Sequence, residues 1–400
     1  MARTCCVGDS SFDSVHSFVV KSRDFVQRLV LTFLFVQSSV AIYGQEEGVV
    51  TESDVFQALA LRSTTMKSAR IEWKEKCFRA KGSLVQPDSP SMVSHLNLTI
   101  PPEDVTYECD YSLSFDGKKT RFTMAGKYPQ ESGLIDVDDT ETFDGNSRRV
   151  FQLPSQKVAH PLGRIYPNGR QNNLLSMLVV EPVLLCYRVQ HPEMNLIDME
   201  RYRIVSQDSL VDGRACVLFS GEPQGSSVKT QRHFWLDPSR DFIIQRFERH
   251  TGDRVSQQTN FTWKQHDNLG WILAGWDVAL YNRDGSPQAT FDATIERFDV
   301  NPEIPHSEFD LTFPALTYVD DLSDVPVNYI LRPDGTRRMV TAAENTLTYE
   351  ELLKSKPEDA LRSTSRPRSL VLVALNLFVF AIAVFLTIWR IANRVKEKAV

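Results

Sequence analysis

The chain has 400 residues, 42% hydrophobic and 24% charged, with a formal net charge of −6. That length allows one large domain or two ordinary ones, and that balance excludes a disordered chain. Residues 1–44 carry net +1 and residues 366–400 net +5, so about −12 remains on the part between. Such a surface repels phosphate backbones and anionic lipid heads, which argues against nucleic acid as a partner.

The first feature in chain order is a targeting signature. Lys21, Arg23 and Arg28 precede the apolar run LVLTFLFV (29–36), and small residues follow to Gly44. A basic region, a short apolar region and small residues make a secretory signal peptide, here assigned to residues 1–44. Cleavage after Ala41 or after Gly44 both fit. The long stretch before the signal leaves the true start open, with Val19 or Val20 as candidates.

Thr51-Glu-Ser-Asp54 reads as a capping box, and the apolar spacing after it predicts a helix over 52–66. ARIEWKEKCFRAKG (69–82) predicts a first strand. Residues 105–115 then alternate strictly. Val105, Tyr107, Cys109, Tyr111, Leu113 and Phe115 are apolar, and polar residues stand between them. A period of two over this length is a half-buried strand. Asp116-Gly117 follows, then Thr120, Phe122, Met124 and Tyr128 at even spacing, which predicts a hairpin. Residues 134–154 predict another strand–turn–strand unit. Residues 173–189 are strongly apolar and predict a buried helix kinked or ended by Pro182.

From residue 200 the chain predicts a run of short strands broken by DPSR (237–240), TGD (251–253), HDNLG (266–270) and RDGS (283–286). Tight turns exclude a parallel sheet, which needs long crossovers. The fold class is mainly β (α+β): a curved antiparallel half-barrel sheet covered by a few helices. Residues 45–321 make this exported domain. Residues 322–368 read as a polar tail and linker with one short helix, TYEELLKSK.

Residues 369–389 (SLVLVALNLFVFAIAVFLTIW) carry no charge. As a helix they would be about 31 Å long, enough to cross a bilayer core. Arg390, Arg394, Lys396 and Lys398 follow in the tail 390–400, which favours a cytoplasmic C-terminus. The expectation is a single-pass protein of the inner (cytoplasmic) membrane, with its main domain periplasmic or extracellular.

Chemical motifs are sparse. The chain holds no GxSxG, HExxH, CxxC, GxGxxG or P-loop pattern. His191 with Glu193 and His306 with Glu308 are isolated pairs, short of a zinc ligand set. Asp136, Asp138, Asp139, Glu141 and Asp144 resemble a calcium loop but lack its glycine pattern, and read as a solvated acidic turn. Asn97 and Asn260 stand in glycosylation sequons, which matter only in a eukaryotic secretory route. Cys77, Cys109, Cys186 and Cys216 could form disulfides after export in any of three pairings, or serve as small buried hydrophobes. No cofactor and no enzymatic activity are expected.

Aromatic residues are more informative. Trp73, Tyr107, Tyr111, Phe115, Phe122, Met124, Trp235, Trp263 and Trp276 are the candidates for an apolar core or cavity face. GWILAGWDVALY (270–281) is apolar on both faces, with Trp271 and Leu273 on one and Ile272, Trp276 and Val278 on the other. Such a strand must be covered twice, by the core and by a helix, a hydrophobic ligand or a partner.

Two segments carry a resemblance. FWLDPSRDFIIQRFERHTGD (234–253) resembles the "W-D-P-x-x…R" hairpin of lipoprotein-localisation (LolA/LolB-like) carriers, whose fold is shared by an RseB-like regulator of the sigma-E stress response. NPEIPHSEFDLTFPALTYVDD (301–321) resembles their closing motif at Asn301, Ile304, Phe309, Pro314, Val319 and Asp320; Ala315 and Leu316 stand where that motif has its glycine. The resemblance covers about 50–321. It implies a half-open antiparallel barrel closed by helices over an apolar cavity that holds acyl chains. This chain has no lipobox cysteine and ends instead in an apolar span, which is unsuited to shuttling. The expected function is therefore a membrane-tethered extracytoplasmic binding module for a lipid, acyl chain or lipoprotein. The alternative is an envelope-sensing or signalling interaction protein with a membrane partner, and behind both stands an enzyme with an unrecognised site.

Overall fold

The computed structural model describes residues 49–83, 101–130, 133–154, 160–167, 179–188, 201–222, 230–267, 269–323 and 325–355. The expected signal peptide at 1–44, the expected membrane span at 369–389 and the pair His191/Glu193 lie outside them. Among the described residues no helix is long and apolar enough to cross a membrane.

Every element belongs to the second of two compact units, Glu52–Val400. A first meander runs through β1 (Ser68–Arg79), β2 (Val105–Asp116), β3 (Lys119–Gln130), β4 (Gly133–Phe143), β5 (Arg148–Gln152) and β6 (Leu162–Tyr166). A second runs through β7 (Tyr202–Val211), β8 (Arg214–Gly221), β9 (Thr230–Asp237), β10 (Ile243–Thr251), β11 (Arg254–His266), β12 (Gly270–Tyr281) and β13 (Pro287–Val300). Three short strands close the chain's described part: β14 (Tyr318–Asp321), β15 (Val327–Leu331) and β16 (Arg337–Val340). The α-helices are α1 (Glu52–Thr65), α2 (Glu181–Tyr187) and α3 (Tyr349–Lys354).

All sixteen strands form one open sheet, ordered β16-β15-β14-β6-β5-β4-β3-β2-β1-β13-β12-β11-β10-β9-β8-β7. β13 pairs antiparallel with β1, so the two meanders are joined through the middle of the sheet. The pairing of β14 with β6 is the one parallel ladder among the described strands. A parallel neighbour requires a crossover. Residues 301–317 supply it by crossing one face of the first meander. We call that face the strap face, and the opposite one, on which α1 and α2 pack, the helix face.

The five Asp-Gly pairs all sit at tips between adjacent antiparallel strands: 116–117, 144–145, 212–213, 284–285 and 334–335. At the first, Asp116 pairs with Lys119 and Gly117 takes a φ of 56°, where a side chain would be strained. At 144, 284 and 334 the aspartate carboxylate accepts from a Ser or Thr hydroxyl two or three residues on and so closes its own turn.

Alternation explains the faces. On the helix face of β1 and β2, Ile71 stands opposite Leu113, Trp73 opposite Tyr111 and Ala69 opposite Phe115, and all are buried. The expected helix at 52–66 is α1, and Phe56 of α1 meets Phe219 of β8 edge-on at 5.3 Å.

Four expectations are corrected. Pro182 opens α2 instead of ending it: Pro is tolerated in a first turn, where its missing N–H has no helical partner to lose. Residues 322–355 are more than a polar tail, because β15 and β16 extend the sheet there; α3 matches the short helix expected at TYEELLKSK. Asp139 and Glu141 belong to no acidic turn. They are 3% and 1% exposed on the helix face of β4, and only Asp144 reaches the tip. Finally, β12 owes much of its two-sided apolarity to a bulge. Its register with β11 shifts so that Gly275 faces Thr262 and Leu273 faces Trp263. Leu273 and Trp276, three apart, therefore share the helix face.

Candidate functional site

The middle of the helix face carries a contiguous aromatic cluster built from three strands of the first meander and one of the second. Trp73 (β1) stacks on Tyr111 (β2) at 5.3 Å, and Tyr111 stacks on Phe122 (β3) at 5.9 Å. Trp276 (β12) leans over Trp73 at 5.6 Å. Met124, opposite Tyr111 on β3, is fully buried. Tyr107 lies further along β2 against Tyr128 at 5.7 Å. Phe115 lies at the other end, beneath the Arg188 guanidinium at 4.6 Å. Each offset or tilted ring pair adds about 0.5–1.5 kcal/mol beyond its burial.

Two of the predicted residues stand apart. Trp235 faces the strap side: its neighbours Phe234 and Leu236 take the buried helix face, so alternation turns Trp235 outward beside His233 and Arg246. The consecutive apolar residues 234–236 hide this in the sequence. Trp263 lies near the helix-covered end of β11. Its indole N–H donates to the Ile244 carbonyl at 2.9 Å, and its ring packs edge-on to Tyr187 at 6.4 Å.

The helices are fixed over this face by polar contacts that the sequence did not advertise. Glu181, in the first turn of α2, forms an ion pair with Arg249 and accepts from Gln257 at 2.8 Å. The Leu273 amide donates to the Tyr187 hydroxyl at 2.6 Å. Arg188 reaches the Gly117 carbonyl at the β2–β3 tip. Arg62 of α1 donates to the Asp241 carbonyl at 2.7 Å. Burial pushes the Tyr187 hydroxyl and the Cys186 thiol well above their ordinary pKa ranges.

Charged groups flank the aromatic cluster on the same face. Glu75 is two residues beyond Trp73 and 2% exposed; Asp139 stands opposite Met124, and Glu141 opposite Phe122. Burial pushes the Glu141 carboxyl above its ordinary value, against the hydrogen bond and charge of Arg148 at 2.8 Å. Glu141 Oε1 and the indole N–H groups of Trp73 and Trp276 are buried and find no hydrogen-bond partner among the described residues.

The remaining candidates have structural partners. Cys77, Cys109, Cys186 and Cys216 are buried and form no disulfide with one another, and burial pushes the Cys216 thiol up to about 11. Glu308 is held by Arg70. The Asn260 amide donates to Asp277 at 2.8 Å, and its oxygen accepts from Arg246 at 2.9 Å, so this sequon asparagine is bonded within the sheet. The other, Asn97, lies outside the described residues.

No known family matches the sequence, and no curated protein does. Several solved structures resemble this one. A putative outer membrane lipoprotein-sorting protein domain from Vibrio parahaemolyticus is 9% identical, with a TM-score of 0.38 over 65% of this chain and 96% of that one. A DUF1329 family protein from Desulfovibrio piger is 10% identical, with a TM-score of 0.40 over 65% and 96%. A LolA superfamily protein from Nitrosomonas europaea is 8% identical, with a TM-score of 0.35 over 65% and 97%.

Proposed function

We propose that this chain is a membrane-tethered, extracytoplasmic binding module whose helix face takes a lipid, an acyl chain or a lipoprotein. The observation that carries this reading is the aromatic cluster Trp73–Tyr111–Phe122–Trp276, a contiguous buried apolar layer spanning the junction of the two meanders. Small apolar ligands are held by such surfaces with a few polar groups to orient them. α1 and α2 cover the second meander's side of that face. They hold on through a handful of polar contacts, so a helix movement could admit a chain. The span at 369–389 would tether the module and confine it to ligands at one membrane.

The test is photolabelling of the full-length chain with a diazirine-bearing fatty acid, followed by mapping of the labelled peptides. Label on residues 105–128 and 270–281 is expected. Label confined to the apolar stretches 29–36 and 369–389 would sink the proposal, since membrane segments alone would then account for lipid contact.

A further inference from the structure

The last described part of the chain, from β14 to α3 (318–355), is fastened to the first meander through both of its faces. On the strap face Val319 of β14 packs with Leu311, Phe313 and Tyr329, and Phe151 and Ile165 of the meander lie against them. Along the strand, the Tyr318 and Leu322 amides donate to the Pro161 and Ile165 carbonyls at 2.9 and 2.8 Å, flanking the parallel ladder with β6. Tyr318 neighbours Val319 and so takes the opposite face. There it meets His160, which stands just before β6. The His160 ring lies flat on Tyr349 of α3, with centroids 4.4 Å apart and planes 8° apart, and edge-on to Tyr318 at 5.5 Å. The Tyr349 hydroxyl donates in turn to the Leu316 carbonyl at the end of the strap. One imidazole on the meander's side thus touches both the strand and the helix of the docked segment.

That imidazole is the side-chain type that changes charge near neutral pH. The charged groups around it are Asp320 on β14, which Arg164 of β6 holds at 3.4 Å, and Glu350 on α3. The two tyrosines keep their protons, since burial raises both hydroxyls. Burial lowers the His160 pKa, and Asp320 and Glu350 oppose that without cancelling it. The docked state therefore favours the neutral ring. Away from the tyrosines the ring would regain water, so the undocked state binds the proton more readily. Its contribution to docking is present above the ordinary 6.5 and is lost as pH falls through that value.

We propose that His160 is an acid-sensitive latch, whose protonation loosens β14–β16 and α3 from the first meander while the rest of the sheet stays paired. Release would bare Phe151 and Ile165, apolar residues that the docked segment covers. The latch is independent of what the helix face binds.

Hydrogen exchange of the full-length chain, read by mass spectrometry at about pH 7.5 and about pH 5.5 and corrected for the intrinsic rate, brackets the imidazole range. Peptides spanning 318–322 and 327–331 should open about threefold more often at the lower pH, with β2 and β3 unchanged. His160→Phe keeps a ring against Tyr349 and cannot take a proton, so the ratio should fall to about one. Glu350→Gln leaves the stack in place and removes a carboxylate that supports the charged ring, so the ratio should rise. A purely structural His160 would not respond to Glu350, so this second variant decides if His160→Phe does not fold. Acid opening that persists in His160→Phe, or a ratio unmoved by Glu350→Gln, would overturn the latch. Faster exchange spread equally over β2 and β3 would overturn it too, because the whole sheet would then be unfolding.

Discussion

Arg70 on β1 holds Glu308, 238 residues later in the chain, with both arms of its guanidinium: Nη2 to Oε2 at 2.5 Å and Nε to Oε1 at 3.3 Å. This fork is where the strap between β13 and β14 meets the central strand. Arg121 of β3 donates to the Glu308 carbonyl at 3.1 Å, and Arg149 of β5 donates to the Leu311 carbonyl at 3.1 Å. Beyond them Leu311 and Phe313 pack with Val319 and Tyr329 in a small second core on the strap face. Asn301 starts the strap: its φ is 50°, its side-chain oxygen accepts from the Lys67 and Ser68 amides, and its amide donates to the Thr65 carbonyl. One residue thus ties the end of α1, the start of β1 and the end of β13.

Glu308→Gln should therefore destabilise the domain by about 1–3 kcal/mol, the usual worth of a charge-assisted, partly buried bond. Burial raises the Glu308 carboxyl, but hydrogen bonds from Arg70 and Ser114 and the charges of Arg70 and Arg121 outweigh it, leaving the pKa below the ordinary 4.5. A depressed folded-state value contributes stability above the unfolded pKa that is lost as pH falls through the folded one. Acid denaturation of the unaltered chain should accordingly steepen below about pH 4.5, with Glu308→Gln flattening the curve there. Equal acid profiles for the two chains would refute this role.

His233 and His250 make a second pH-dependent contact, on the strap face of β9 and β10. Their rings stack at 4.2 Å, and His250 Nε2 lies 2.9 Å from Glu248. Burial lowers the His233 pKa first, the neighbouring His250 lowers it further, and Glu248 opposes both. The folded state thus favours neutral His233, and its contribution is present above the ordinary 6.5 and lost as pH falls through that value. The thermal midpoint should drop between pH 7.5 and 5.5, and His233→Asn should remove part of that drop. A midpoint independent of pH in this window would contradict the assignment.

Two glycines should respond differently to the same substitution. Gly126 has a φ of 144°, and a Cβ there would lie 2.5 Å from the Glu108 carbonyl oxygen and 2.9 Å from Cys109 Cα, both backbone atoms of β2. Gly126→Ala must push two paired strands apart and should cost several kcal/mol. Gly117 at the β2–β3 tip has open space around it and only a strained φ of 56°, so Gly117→Ala should cost about 1 kcal/mol. Denaturant midpoints measure the difference. Asp116→Ala, at the same tip, should likewise change folding and leave lipid labelling unaltered.

Glu181→Ala tests the attachment of α2. It leaves Arg249 without its carboxylate and Gln257 with only its long 3.4 Å bond to Thr259, and should cost about 1–3 kcal/mol. The Leu273 amide, which donates to Tyr187, should exchange its hydrogen faster, because α2 opens more often. Faster exchange together with faster lipid labelling would link α2 to ligand entry. Unchanged exchange at Leu273 would show that Glu181 does not hold the helix.

The sequence by itself determined the local order. Period-two alternation located β2 and β3, and Asp-Gly marked hairpin tips because Gly117 accepts a φ that a side chain resists. It also singled out Trp73, Tyr111, Phe122, Met124 and Trp276, since each is an apolar residue on a strand whose neighbours are polar or whose aromatics are in excess. Only the tertiary structure decided what lay beyond one hairpin's reach. The pairing of β13 with β1 and the parallel docking of β14 on β6 join residues far apart in sequence, for which no local period exists. The bulge in β12 moved Leu273 to the face of Trp276, and alternation turned Trp235 away, because a one-residue shift exchanges the faces of a strand. Burial of Asp139 and Glu141, which reads locally as an acidic surface, follows from strands brought together over the same face. The contact of Trp73 with Trp276, some two hundred residues apart and each without an indole acceptor among the described residues, could be seen only once the two meanders were joined.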